Sequence, residues 1–166
     1  MTRAEGEEDR VAVRAVNESA FETLAEAALV DALRDQARPN ISLVAEEAGA
    51  VVGHIMFSPV VLPEHAELAM MGLAPMAVSP EHQRQGIGSA LVRAGLEECR
   101  GLGCGAVVVL GHPEYYPRFG FTPAVRFGVG CEYEVPDEVF MLVELRRGYL
   151  GKACGKVRYH AAFGNL

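Results

Sequence analysis

The chain has 166 residues, half of them apolar, with 22 Asp and Glu against 15 Lys and Arg for a formal net charge of −7. That length fits one domain with a substantial core, and the composition is a folding rather than a disordered one. The negative field argues against nucleic acid and anionic membranes as partners, although one anionic ligand held by local donors remains compatible with it.

Met1 leads into Thr-Arg-Ala-Glu-Gly-Glu-Glu-Asp with no apolar leader, and the uncharged run Leu68 to Pro80 is too short to span a bilayer. Cys99, Cys104, Cys131 and Cys154 form no Cys-x-x-Cys pair and no zinc-ligand spacing. The expectation is a reduced, cytoplasmic protein without a metal, its cysteines serving as core filler.

Residues 1–8 read as a loose acidic leader. Arg10 to Val16 alternates, with Val11, Val13 and Ala15 on one face, and predicts a first strand followed by Asn17 as a helix N-cap. Phe21, Leu24, Ala25, Ala28, Leu29, Ala32 and Leu33 recur at helical spacing, so one or two helices are expected over roughly 18–37, ended by Pro39-Asn40. Ile41 to Glu47 and Val51 to Ser58 form a hairpin around Ala48-Gly49-Ala50. A further strand covers about Met70 to Val78; Pro75 inside it lacks an amide donor and forces a bulge, an edge or a divergence.

After a Gln-, Arg- and Gly-rich turn, Ile87, Leu91, Val92, Leu96, Cys99 and Leu102 make the buried stripe of a helix that stops at Gly101 to Gly105. The wholly apolar Ala106 to Leu110 reads as a strand covered on both faces, which suggests a crossover unit. A short helical or turn segment over His112 to Phe119 and a strand over Phe140 to Leu145 complete the pattern. Residues 146–166, with five Lys or Arg and no carboxylate, form a basic C-terminal segment without a clear element. The whole, residues 1–166, reads as a single α/β domain with a mixed sheet.

The chemistry concentrates in Val78-Ser-Pro-Glu-His-Gln-Arg-Gln-Gly-Ile-Gly-Ser-Ala-Leu-Val92, a strand running through a Gly-x-Gly turn into an amphipathic helix. Free amides at such a helix start, with glycines that let the backbone come close, make a seat for phosphate or pyrophosphate. Arg84 and the Ser89 hydroxyl can add contacts to an anion. The dinucleotide fingerprint fails at its third glycine, where Leu91 stands, and the P-loop fails for want of Gly-Lys-Ser/Thr.

On these residues the sequence resembles the GNAT superfamily (GCN5-related N-acetyltransferases), and within it the small bacterial acetyltransferases with a Gly-His-Pro-x-Tyr-Tyr-x-Arg-Phe-Gly-Phe stretch. Gln83, Gly86 and Gly88 meet the family's Gln/Arg-x-x-Gly-x-Gly/Ala pattern, and Tyr116, Gly120 and Phe121 meet its Tyr-x-x-x-Gly-Phe. The likeness runs from Val11 to about Leu145. It implies a largely antiparallel mixed sheet with two splayed parallel strands, helices on both faces, and acetyl-CoA held where those strands part. By the resemblance, pyrophosphate would lie on Arg84, Gln85, Gly86, Ile87, Gly88 and Ser89, and the pantetheine arm against Met76, Ala77 and Val78.

The implied function is acetyl transfer to a primary amine of a small molecule or peptide by direct attack in a ternary complex. The alternative is a non-catalytic CoA- or acyl-CoA-binding regulatory or structural protein, and a homodimer is possible. Tyr116 is the implied general acid for the departing thiolate. The base is open, because residues 70–78 hold no carboxylate: Glu67 just before that strand and His54 on the preceding one are candidates, and His112 fits an end-of-strand hydrogen bonder equally well. The Val78 amide is the implied oxyanion donor.

Overall fold

The computed structural model describes residues 1–165, in the order β1 Thr2–Ala4, α1 Arg10–Ala20, α2 Ala25–Gln36, β2 Ile41–Glu47, β3 Ala50–Val60, β4 Met70–Val78, α3 Ile87–Gly101, β5 Ala106–Leu110, β6 Thr122–Pro123, β7 Val129–Cys131, β8 Phe140–Glu144 and β9 Gly155–Val157. The hairpin, β4, α3, β5 and β8 fall where the apolar patterns put them. Two expectations at the start of the chain do not hold. Residues 1–8 are not a loose leader: β1 pairs antiparallel with β2, and Arg3 bridges Asp9 at 2.6 Å and Glu46 at 2.9 Å.

Arg10 to Val16 is likewise a helix and not a strand. Its buried residues are Val13, Val16 and Asn17, a three-and-four spacing, while Val11 points into solvent at 83% exposure. The short stripe ends in a polar residue, and that concealed the helical period. Asn17 is therefore no N-cap. It lies inside α1, where its side-chain amide donates to the Val13 carbonyl at 3.0 Å.

Seven strands form one sheet in the order β1-β2-β3-β4-β5-β8-β6, antiparallel at every junction except the parallel pair β4–β5. Helices cover both faces. On one, Leu91, Val92, Leu96 and Cys99 of α3 pack on Ile55, Phe57, Val107 and Val109. On the other, Val13 of α1 and Leu29, Val30 and Leu33 of α2 meet Val44 and Met56. The segment that the sequence left unplaced has a structure of its own. β9 pairs parallel with β7, and Val129, Leu150 and Val157 form a third apolar cluster with Val108 and Leu142.

Pro75 marks a break in the ladder. β4 and β5 are paired only from Met70–Ala106 to Gly72–Val108, whereas β5 stays paired to β8 as far as Leu110–Phe140 and β4 stays paired to β3 as far as Val78–Gly53. Each strand follows its outer neighbour, so the two part beyond Gly72.

Candidate active site

The parting of β4 and β5 opens a cleft of about 880 Å³. Its walls are β4 from Leu73 to Val78, the turn residues His82 to Arg84 and Gly86 to Ser89, the end of β5 with Gly111 and His112, the Tyr115–Tyr116–Arg118 segment, and Phe21, Glu26 and Leu29 from the α1–α2 side.

The open edge of β4 follows from register. The Ser79 amide donates to the Val52 carbonyl at 2.8 Å, next to the Gly53–Val78 pair. In an antiparallel ladder this directs the amides and carbonyls of Val78 and Met76 away from β3, toward the gap. One of these groups is taken: the Gln83 side-chain amide donates to the Val78 carbonyl at 3.0 Å. This explains why a glutamine at that position matters, since it pins the turn to the strand end.

Within the turn, Arg84 and Gly86 both have positive φ, 63° and 85°. A Cβ at Gly86 would meet no atom within 4 Å, so the glycine answers to its backbone angle and to space for something that is not protein. Gly86 is the N-cap of α3 and no side chain caps that helix. The first amides of α3 therefore point outward without an intrahelical partner. The helix dipole adds ~0.3–1 kcal/mol for an anion placed there, and each amide hydrogen bond about 0.5–1.5 kcal/mol.

At the far wall the two adjacent tyrosines divide their tasks. The Tyr115 hydroxyl sits 3.1 Å from the Ser89 Oγ, and the Arg118 guanidinium lies 4.5 Å from the centre of its ring. Arg118 Nε also donates to the Tyr115 carbonyl, so the arginine braces this segment. Tyr116 is turned inward at 7% exposure, packed edge-on against Phe121 and laid over Gly111, where a Cβ would come within 2.3 Å of its ring. Burial, with a smaller contribution from Tyr115, pushes its phenol up to about 12. It lines the cleft as a neutral phenol at neutral pH.

The two candidate bases lie elsewhere. His54 is fully buried on the α1–α2 face. Asn17 Nδ2 donates to its Nδ1 (3.2 Å), and its Nε2 donates to Ser42 Oγ (2.8 Å), which in turn donates to Glu5 Oε1 (2.9 Å). Glu5 is closed by Arg34 at 2.6 Å. Burial holds the imidazole down at about 4, so both nitrogens are committed to the fold. Glu67 is 72% exposed, 3.8 Å from His65, and is not among the cleft residues. His112 does line the cleft, with an exposed side chain near Glu114. The carboxylate in the cleft wall is Glu26, in the first turn of α2, which accepts from the Thr23 hydroxyl at 3.1 Å. No motif marked it, since it reaches the site only through the way α2 crosses the sheet.

The four cysteines are free: Cys99 of α3 and Cys104 after it are buried in the core, Cys131 is half-buried, and Cys154 is exposed, so the expectation of core filler does not hold for Cys154. Among the described residues no group of three or more His, Cys, Asp or Glu could hold a metal, and no helix is long and apolar enough to cross a membrane.

A mixed sheet with one parted parallel pair, and a helix start offering free amides into the gap, define an α/β fold built around an anion-bearing ligand. Comparison with known proteins makes the class specific. Residues 10–121 match the acetyltransferase (GNAT) family, and the chain belongs to it. It is 35% identical to the uncharacterised N-acetyltransferase YhbS of Escherichia coli K12 over 159 residues, 95% of each chain. It is 43% identical to the uncharacterised N-acetyltransferase YjhQ of the same strain over 130 residues, 76% of this chain and 72% of that one. The crystal structure of E. coli YhbS in complex with CoA superposes with a TM-score of 0.93 at 34% identity, covering 100% of this chain and 92% of that one. A GNAT acetyltransferase from Brucella melitensis in complex with acetyl-CoA gives 0.81 at 38% identity, covering 98% and 97%.

Proposed function

We propose that the protein transfers the acetyl group of acetyl-CoA to a primary amine within a ternary complex. One observation carries this reading: a single cleft joins the outward amides of α3 to the open edge of β4. That is the kind of arrangement that can take a pyrophosphate followed by a peptide-like arm. Arg84 and the amides of Gln85 to Ser89 would hold the diphosphate, and the free groups of Met76 and Val78 would pair with the arm. Two relatives have been solved in complex with CoA or acetyl-CoA, which supports a ligand of that class.

The acceptor must arrive as a neutral amine, although a free alkyl ammonium titrates near ~10.4. Glu26 is placed to attract the cation and to receive its proton, directly or through water. Nitrogen then attacks the thioester carbon, and the Val78 amide stabilises the oxyanion. As the carbon–sulfur bond breaks, the neutral phenol of Tyr116 donates to the sulfur; Glu26, having passed its first proton to solvent, takes the second from the nitrogen, and water returns a proton to the Tyr116 phenolate. Neither Glu67 nor His54 has a part in this scheme, the one lying outside the cleft walls and the other sealed in the core.

Titration calorimetry with CoA, together with thiol release from acetyl-CoA and mass spectrometry of an amine panel for a 42 Da gain, tests the proposal. CoA affinity with acetylated amine supports it. CoA affinity without thiol release from any amine would favour a binding protein.

A further inference from the structure

The β4–β5 gap opens on two sides. Beyond the cleft described above, Leu73, Ala74 and Leu110 also line a second pocket of about 310 Å³, closed by Tyr133, Tyr159 and Phe163. The shared residues lie one or two positions beyond the last paired positions of β4 and β5, so the pocket meets the cleft where the strands separate. We propose that this pocket receives the side group of the acceptor amine and that this group is an uncharged aromatic ring or a compact alkyl group of similar size. The proposal rests on the acetyl-transfer reading and adds to it the class of substrate.

Its walls are rigid and apolar. The Tyr133 and Tyr159 rings stack at 5.9 Å, and Tyr159 and Phe163 lie 5.1 Å apart. Tyr159 lies over β4 because position 72 is a glycine, where a Cβ would come within 2.9 Å of the ring. Its backbone is tied in place by its amide's bond to Glu132 Oε1 (2.9 Å) and by the neighbouring Val61–Arg158 bridge. Phe163 is anchored among Leu29, Val30 and Leu33. The Gly- and Arg-rich tail, which has no evident role in the sequence, thus becomes one wall of this pocket.

Shape and chemistry both select the occupant. An apolar cavity of ~150 Å³ holds a benzene, so a pocket of about 310 Å³ has room for a ring with a short linker. None of the six lining residues is charged. A carboxylate or a second ammonium on the side group would be desolvated there without a partner. The amine itself, at the strand gap, lies at the junction with the cleft that holds Glu26.

The test is calorimetric titration of phenethylamine and of ethylamine into CoA-saturated protein. Phenethylamine is expected to bind at least tenfold more tightly, and Tyr133→Ala to bring that ratio close to one while CoA affinity holds. Tyr133 is 38% exposed, so its truncation is safe for the fold. Phe163→Ala, at a buried site, is a second variant whose CoA affinity reports whether it has folded. Equal affinity for the two amines, or a preference that survives Tyr133→Ala, overturns the proposal whatever the thiol assay shows. Selective binding with no thiol released from acetyl-CoA would leave the pocket standing and remove the transfer reaction instead.

Discussion

Two polar regions flank the β3–β4 pair, and they handle the same kinds of group in opposite ways. Around His54 the donors and acceptors run in a closed chain from Asn17 through the imidazole and Ser42 to Glu5 and Arg34, with only the Asn17 Oδ1 left over. At the start of α3 the backbone amides point outward and nothing in the protein caps them. The first arrangement spends its hydrogen bonds on a specific fold, since a buried polar group without a partner costs about 1–3 kcal/mol. The second leaves them free for a ligand. A histidine in a sequence is therefore a weaker sign of chemistry than a glycine-bounded helix start, because side-chain nitrogens are readily absorbed by a core.

Substitutions can break that contrast. The largest effect is expected on the open side, at Tyr116. Tyr116→Phe keeps the ring over Gly111 and removes the proton donor, so kcat in the thiol-release assay should fall by ~10²–10⁴ with CoA affinity nearly unchanged. A change of less than threefold would remove the tyrosine from the reaction. On the sealed side the handle is acid. His54 titrates at about 4 when folded against 6.5 as a free side chain, so between those values the unfolded chain binds the extra proton. Stability is then complete above pH 6.5 and declines toward pH 4, by on the order of 3 kcal/mol. In His54→Gln that slope of melting temperature against pH should vanish. Asp9, held down at about 2 by Arg3, contributes only below the ordinary carboxylate range and leaves this window clean.

Returning to the open side, Gly86→Val places a β-branched residue at φ 85°. The strain of ~1–3 kcal/mol should weaken CoA binding by about tenfold or more in calorimetry. Glu67→Gln provides the smallest effect: at an exposed position outside the cleft walls, kcat and KM should both stay within about twofold. A large loss there would return Glu67 to the reaction and displace Glu26.

Much of this organisation is legible in the sequence because strong local signals agree with the global fold. The β2–β3 hairpin, the all-apolar β5 and the stripe of α3 each carry one period over enough residues to be unambiguous, and Gly86-Ile-Gly88 announces the turn. Where reading failed, the information was nonlocal. α1 shows only Val13 and Val16 before the stripe reaches Asn17, whose burial makes sense only with His54 opposite. β1 is three residues long and is defined by its partner β2. β7 and β9 are equally short and pair across more than twenty residues. Glu26 and Tyr133 stand in no motif, and they reach the strand gap through helix crossing and through the β7–β9 pairing beside the Tyr159 ring, which no window of sequence contains.

The short parallel ladder between β4 and β5 has a kinetic consequence. Because β3 and β8 hold the two strands on their outer sides, the wedge between them is a property of the folded framework and needs no hinge to open it. Such a fixed jaw admits its guest without a closing step, and amide exchange along β4 should report nearly the same protection before and after the guest arrives, apart from the outward groups of Met76 and Val78. Residence time in such a seat depends on the strength of the contacts at its rim, since no door has to swing before the product departs.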